Sequence, residues 1–257
     1  MDIHNSAAKG FSAAADLYTR GRPDYPAETI DWLCEDLRLG ADKVVLEVGA
    51  GTGKFIPVLR QCGAKMLALE PVEEMRQRLV ACNDVEVLSG AAASIPLPDE
   101  SVDAVVCAQA FHWFATREAL AEFRRVLVPG GMLGLVWNVR DESVPWVAEL
   151  SRIAAPLEGD TPRFHSGAWR RVFPAKGFAF VGERCVPYVH RGSAEDVIIN
   201  RFLSVSFIAA QPEATRRQVA KQLELLVEQT PALAGGGDVA FPYETRMFTY
   251  QKTAERN

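Results

Sequence analysis

The chain has 257 residues, 48% of them hydrophobic, which is enough for a buried core in one large α/β domain or two small ones and excludes a disordered chain. Its 33 acidic and 28 basic residues leave a formal charge of −5, which gives no electrostatic attraction to nucleic acid or to an anionic membrane surface. A small-molecule partner is the remaining expectation.

Five cysteines (Cys34, Cys62, Cys82, Cys107, Cys185) stand far apart, with no CxxC pair and no histidine at metal-ligand spacing. They read as reduced thiols, with neither disulfide nor metal site. The opening MDIHNSAAKGFSAAADLY lacks a basic segment followed by an apolar one, and no run of about eighteen apolar residues occurs. The expectation is a cytoplasmic protein without a membrane segment, monomeric or homodimeric.

In chain order, Ala13 to Leu39 reads as a helical arm in two pieces, broken at Gly21-Arg22-Pro23 and again at Tyr25-Pro26, because proline disfavours helix in the residue before it. From Lys43 onwards short apolar runs alternate with helical patterns: VVLEV (44–48), KMLAL (65–69), VEVL (85–88), AVVCA (104–108) and MLGLVW (132–137). Continuous apolar strands separated by helices predict a parallel sheet covered on both faces. Helices fit after Gly53, from Glu73 to Ala81, and from Arg117 to Leu127, the last stopping at Pro129-Gly130-Gly131. Amphipathic stretches WVAELSRIAAPL and GAWRRVFPAKGF lead to a strand, FVGERCVPYV (180–189). Helical patterns over Ala194–Ile208 and Glu213–Glu228 precede a final alternating strand, FPYETRMFTY (241–250). Two closing strands suggest a hairpin-like edge, and the helical insertion between them is placed to roof an active site.

The sharpest local signal is VVLEVGAGTGKF, a strand running into Gly49-Ala50-Gly51-Thr52-Gly53 and then a helix. Glycines let the backbone approach a ligand that a Cβ would obstruct. A second strand ends in an acid, Glu70, which suits the hydroxyls of a ribose. The dinucleotide fingerprint is GxGxxG, shaped for a pyrophosphate, whereas here the glycines fall at GxGxG and position 54 is Lys, which suits a nucleoside ligand without pyrophosphate.

These features, with ALEP (68–71), GAAASIPLPDESVDAVVCAQAFHWF (90–114), RRVLVPGGMLGLVWN (124–138), YTRGRPDYP (18–26) and the terminal PYETRMFTY, resemble one family over nearly the whole chain. It is the class I S-adenosylmethionine-dependent methyltransferases, in the type 11 small-molecule branch related to the trans-aconitate and ubiquinone-pathway enzymes. The resemblance implies an α/β, Rossmann-like fold: a seven-stranded, mostly parallel sheet with a C-terminal antiparallel strand and helices on both faces. It implies an arm or lid over 1–40, a cofactor-binding core over 41–140, and a remainder of the same domain over 141–257, with a substrate-cap insertion at about 190–235.

The implied cofactor is S-adenosyl-L-methionine, leaving as S-adenosyl-L-homocysteine. Glu47, Gly49, Gly51 and Gly53 would surround its methionine part, with the ammonium near carbonyls around Gly49 and Ala108. Glu70 would hold the ribose, Met75 would pack on the adenine, and Ala92 would meet the adenine edge. Pro71, Ala91, Gln109, Phe111 and Trp113 would complete the surface. Many relatives carry an acid or hydroxyl residue where this chain has Ala91, so a side-chain hydrogen bond to the adenine amine is not expected. Tyr18 and Arg22 resemble lid residues, Arg22 suiting the cofactor carboxylate because a guanidinium binds it bidentately.

The segment Gln109-Ala110-Phe111-His112-Trp113-Phe114 follows the fourth strand at the carboxyl edge, where open α/β sheets bind ligands. Its aromatics could surround a sulfonium and exclude water. His112 is the general-base candidate, the alternative being a histidine that packs beside the cofactor and moves no proton. Trp137, Asn138, Arg140, Ser204 and Phe207 are candidates for the acceptor pocket, and an acidic acceptor would use Arg140 or Arg201. The expected function is methyl transfer to a small-molecule acceptor, with O-methylation ahead of N- and C-methylation. The rival readings are a non-catalytic S-adenosylmethionine-binding protein and an NAD-dependent oxidoreductase, the latter disfavoured by the glycine spacing.

Overall fold

The computed structural model describes residues 21–80, 82 and 84–254. The first piece of the helical arm, with Tyr18, lies outside the described residues. The second is α1, Glu28–Asp31, which runs on into a π-helical turn over Trp32–Asp36.

Five strands then alternate with helices: β1 (Val44–Val48), α2 (Ile56–Gln61), β2 (Lys65–Leu69), α3 (Glu73–Leu79), β3 (Val85–Leu88), β4 (Val102–Ala108), α4 (Arg117–Val126) and β5 (Leu127–Arg140). The expected bounds of β1, β2 and β3 coincide with these, because each is an apolar run cut off sharply by charged residues, glycine or a turn. Two helix starts have local causes: Thr116 Oγ1 accepts the Ala119 N–H at 3.1 Å to cap α4, and Pro57 stands in the first turn of α2. The remaining elements are α5 (Pro145–Ala154), β6 (Phe178–Gly192), a π-helical turn over Glu195–Asn200 running into α6 (Arg201–Leu203), then α7 (Ser206–Ala209), α8 (Glu213–Gln229) and β7 (Val239–Lys252).

Two segments differ from the sequence expectation. Helix α4 stops at Val126, and Pro129-Gly130-Gly131 lies within β5. The Glu100 and Ser101 N–H groups donate to the Arg125 and Val126 carbonyls, drawing the chain straight into pairing with β4 at Val102↔Leu127. GAWRRVFPAKGF makes only a 3₁₀ turn over Ala168–Val172, with Gly167 left-handed at its start and Pro174 close behind.

The sheet order is β3-β2-β1-β4-β5-β7-β6, with β7 antiparallel to both neighbours and the other six strands running one way. Leu46 and Val48 of β1 face one core, with Phe111, Phe123, Trp137 and Trp169, while Val45 faces the other, with Trp32, Phe55 and Met66. A third core is separate: α5, the helical segment between β6 and β7, and Phe241 and Tyr243 at the start of β7. That segment leaves the sheet at Gly192 and returns at Val239, which are register partners. The antiparallel direction of β7 therefore puts both of its roots at the carboxyl edge of β5, where Arg140 pairs with Tyr243.

The buried anchor of the arm on the sheet is Trp32. Trp32 is fully buried and its Nε1–H donates to Thr249 Oγ1 at 2.8 Å, while its ring lies over Gly134, the cross-strand partner of Thr249. A Cβ at position 134 would fall 2.7 Å from Trp32 Cη2 and 2.5 Å from Leu37 Cδ1. Gly134→Ala should therefore destabilise the chain by about 1–3 kcal/mol through overpacking, read as a lower midpoint in urea at unchanged slope. An unchanged midpoint would mean that the arm is not seated on this pair.

Candidate active site

Between β1 and β4 the chain departs in opposite directions, β1 feeding β2 on one side and β4 feeding β5 on the other, and the loops after these strands open a crevice. Its floor is the glycine turn. The Gly49 and Ala50 N–H groups both donate to the Leu69 carbonyl, at 2.9 and 3.3 Å, and Gly49, Gly51 and Gly53 all have positive φ (74°, 59° and 83°). A Cβ on Gly49 would stand 2.8 Å from Ala110 Cβ, so glycine there admits the loop from β4. Gly51 is open on its Cβ side, with only Met75 Sδ at 3.9 Å, and its N–H donates to Glu70 Oε2 at 2.8 Å. The other Glu70 oxygen accepts the Val72 N–H at 2.9 Å, so the carboxylate is fixed in orientation with lone pairs left over.

Glu47 stands beside it, 1% exposed, and its Oε2 has no hydrogen-bond partner among the described residues. Burial, reinforced by the charge of Glu70, pushes its carboxyl up to about 8, so it holds a proton at neutral pH. Burial also raises Glu70, against the two backbone N–H groups that hold its charged form.

The crevice brings together Arg22, Glu47, Gly49, Gly51, Glu70, Pro71, Met75, Ala91, Ala92, Ala108, Gln109 and Trp113, as the sequence leads one to expect. Phe114 and Arg201 line it too, and it adds Tyr25, Lys54 and Phe55. Gly53 is not on its surface: a Cβ there would meet Leu79 Cδ2 at 2.9 Å, so this glycine seats α2 against α3. Phe111 is also absent from it, being buried edge-on to Phe114 and Trp169 in the core. Gln109 is left-handed at φ 56°, a strained conformation for a side-chain-bearing residue, and its N–H is tied to the Val136 carbonyl at 2.8 Å.

His112 lies behind the crevice wall. The indole N–H of Trp137 donates to its Nδ1 at 3.0 Å, so that lone pair is taken and the neutral ring carries its proton on Nε2. Burial and the nearby Arg163, Arg22 and His165 push the imidazole down to about 3. Of the acceptor-pocket candidates, Trp137 is core. Asn138 ties the sheet to the arm, Nδ2 donating to the Asp24 carbonyl at 2.8 Å and Oδ1 accepting from Thr245 Oγ1 at 2.6 Å. Ser204 donates to the Arg201 carbonyl, and Phe207 is buried beneath the guanidinium of Arg163. Arg140 sits over the Phe202 ring at 4.9 Å. Arg163 went unnoticed in the sequence, where a single arginine in a loop carries no signal. No group of three or more His, Cys, Asp or Glu is placed to hold a metal ion, and no helix is long and apolar enough to cross a membrane, among the described residues.

Residues 46–135 match the family model described as a methyltransferase domain. An uncharacterized methyltransferase-like protein of Schizosaccharomyces pombe is 36% identical over 248 residues, covering 95% of this chain and 96% of that protein. An uncharacterized methyltransferase of Mycobacterium tuberculosis is 39% identical over 236 residues, covering 91% of this chain and 92% of that one. Among solved structures, a putative type II methyltransferase from Anaeromyxobacter dehalogenans aligns with a TM-score of 0.66 at 23% identity, over 90% of this chain and 97% of that one. The [4+2]-cyclase SpnF aligns with a TM-score of 0.60 at 17% identity, over 97% and 96%. At such identities the structural likeness speaks for the fold alone.

The two buried groups give opposite pH dependences. Glu47 is raised from 4.5 to about 8, so its contribution to stability is full below the unfolded value and is lost as pH climbs towards 8. His112 is depressed from 6.5 to about 3, so its contribution is full above 6.5 and is lost as pH falls towards 3. The melting temperature of the ligand-free protein should fall between pH 6.5 and 8, where Glu47 titrates unopposed by His112, and Glu47→Gln should flatten that limb while leaving the acid limb intact. A Glu47→Gln variant with the wild-type slope would place the titration elsewhere.

Proposed function

We propose, from the premise that this chain belongs to the class I S-adenosylmethionine-dependent methyltransferases, that it binds S-adenosyl-L-methionine in the crevice between β1 and β4 and methylates a small-molecule acceptor, preferentially on oxygen. The observation that carries this reading is the pair of carboxyl groups on the glycine turn, one oriented with spare lone pairs and the other buried with an orphaned oxygen. Such a site suits a nucleoside with a cationic tail.

In this reading Glu70 accepts from the ribose hydroxyls, while Met75, Ala91 and Ala92 line the adenine end with apolar surface. Glu47 and the carbonyls about Gly49 and Ala108 receive the ammonium group, and Arg22 takes the carboxylate. When bound, the cofactor supplies a methyl group already activated on a sulfonium. The protein then has to align the acceptor in line and exclude water. Trp113 and Phe114 supply the dry wall, and the 1–40 arm and the insertion between β6 and β7 form the lid and cap. Its Nδ1 being occupied by Trp137, His112 acts as an Nε2–H donor that holds the acceptor. Proton removal is not its part.

Calorimetric titration should show one site for S-adenosylmethionine and for S-adenosylhomocysteine and none for NAD; NAD binding alone would overturn the assignment. Because the cationic ligand favours ionised Glu47, binding near pH 7 should release a proton, seen as a dependence of the heat on buffer ionisation enthalpy, and affinity should rise as pH approaches 8. Glu70→Ala should cost about 1–3 kcal/mol of cofactor affinity. Nitrogen NMR should find His112 neutral with Nε2 protonated at pH 7, and a ring protonated on Nδ1 would return it to the general-base role.

A further inference from the structure

One wall of the crevice is the start of the loop over 89–101 between β3 and β4, presented through Gly90, Ala91, Ala92 and Ala93. Three alanines offer no polar side chain, so any hydrogen bond from them to a base comes from backbone N–H and C=O groups. A side chain can turn to meet a ligand, whereas a peptide group is only as well placed as the loop that carries it. Within the loop the Ser94 N–H donates to the Ala91 carbonyl at 2.9 Å, which fixes the alanines to the residues just after them.

Those next residues are held from α4. Ile95 is gripped at both its N–H and its carbonyl: Glu122 Oε2 accepts the first at 2.9 Å, and Arg125 Nη2 donates to the second at 2.9 Å. Arg125 Nη1 donates to the Leu97 carbonyl at 2.8 Å and to Asp99 Oδ1 at 2.9 Å, while Nε and Nη2 donate to Glu122 at 2.7 and 2.8 Å. Every N–H of this guanidinium thus has an acceptor. The Arg125 carbonyl accepts the Glu100 N–H at 2.9 Å, so the same residue also closes the far end of the loop. Thr116 caps α4, and Ala119, Leu120, Phe123 and Val126 bury its other side, which makes the helix a fixed support. An exposed ion pair by itself contributes little. Here the pair is the means by which one guanidinium is pinned to two loop carbonyls.

We propose that Glu122 and Arg125 are positioning residues for base recognition: by pinning Ile95 and Leu97 they set the backbone of Ala91, Ala92 and Ala93 so that it selects adenine over a purine with the opposite edge. The recognition of a base rests on the cofactor reading above; the splinting of the loop does not. Adenine presents an amine donor beside a ring-nitrogen acceptor, and hypoxanthine presents a carbonyl acceptor beside an N–H. Backbone groups fixed in direction for the first pattern meet like with like in the second, and a site built to hydrogen-bond one pattern rejects a ligand that leaves its groups unpaired. Lysine in place of Arg125 keeps the charge, but an ammonium lacks the planar fork that reaches both carbonyls and Glu122 together.

The test titrates the full chain with S-adenosylhomocysteine and with S-inosylhomocysteine, and follows hydrogen exchange over 90–97 without ligand. Wild type should prefer the adenosyl ligand by about tenfold or more. Arg125→Lys should weaken S-adenosylhomocysteine about tenfold and change S-inosylhomocysteine little, so that the preference collapses. Glu122→Gln, which keeps an acceptor for Ile95 and loses the charge, should move the ratio the same way by less. Exchange over 90–97 should quicken in both variants before any ligand is added. A fold weakened throughout would lower both affinities together and leave their ratio; that result, or wild-type exchange in both variants, would overturn the proposal. So would a wild type that binds both nucleosides alike. If wild type binds neither ligand, the cofactor reading fails and base selection with it, whereas retained S-adenosylhomocysteine binding with an unmoved ratio fails the positioning role alone.

Discussion

The contact on which the rest of the site depends is the approach of Gly49 to Ala110, where a single added Cβ would come within 2.8 Å. It holds the loop after β4 against the glycine turn after β1, at the one place in the sheet where neighbouring strands send their chains apart. From that contact everything else on the β4 side is measured off. Gln109 is held left-handed, Phe111 is driven into the core, and the 3₁₀ turn Phe111–Trp113 carries His112 to the Trp137 indole. The strain at Gln109 is sustained by packing on both sides, which marks a position set by the site more than by local preference.

Around this contact lie charges of both signs. On the β1 and β2 side lie two buried carboxyl groups, and on the β5 and β7 side lie the guanidiniums of Arg22, Arg140, Arg163 and Arg201. Arg22 and Arg201 share the crevice with Glu47 and Glu70. Glu47 keeps a buried oxygen without a hydrogen-bond partner among the described residues, and Arg201 a buried Nε in the same state.

Much of the fold was legible in the sequence, and the reason is local. Parallel strands buried on both faces are unbroken apolar runs, and Val44–Val48, Lys65–Leu69 and Val85–Leu88 were bounded by residues that end such runs. The glycine turn, Glu70 and the alanines after β3 were legible too, because contiguous motifs encode them. What was hidden depends on contacts distant along the chain. The hydrogen bond from Trp137 that changes the meaning of His112 spans 25 positions. The approach of Arg140, Arg163 and Arg201 to one another draws on β5, a loop and α6, and no motif joins them. The turn at Pro129-Gly130-Gly131 was misjudged for the same reason, since pairing with β4 overrode the punctuation that glycine and proline give.

The division between what was legible and what was not coincides with a division in the family likeness. The match to the methyltransferase domain ends at residue 135, so it contains Glu47, Glu70 and His112 but stops short of Arg140, Arg163, Arg201 and Tyr243. The cofactor half of the crevice therefore belongs to the shared core, and the arginines belong to the part built on the third hydrophobic cluster, which has its own packing and its own loops. Changes there need not disturb the glycine turn, because the two parts are joined along β5 and its pairing with β7, away from the contact of Gly49 with Ala110. A core of this shape aligns both with a putative methyltransferase, at a TM-score of 0.66, and with a [4+2]-cyclase, at 0.60. The specificity of this chain must then be sought in the residues that the core does not include.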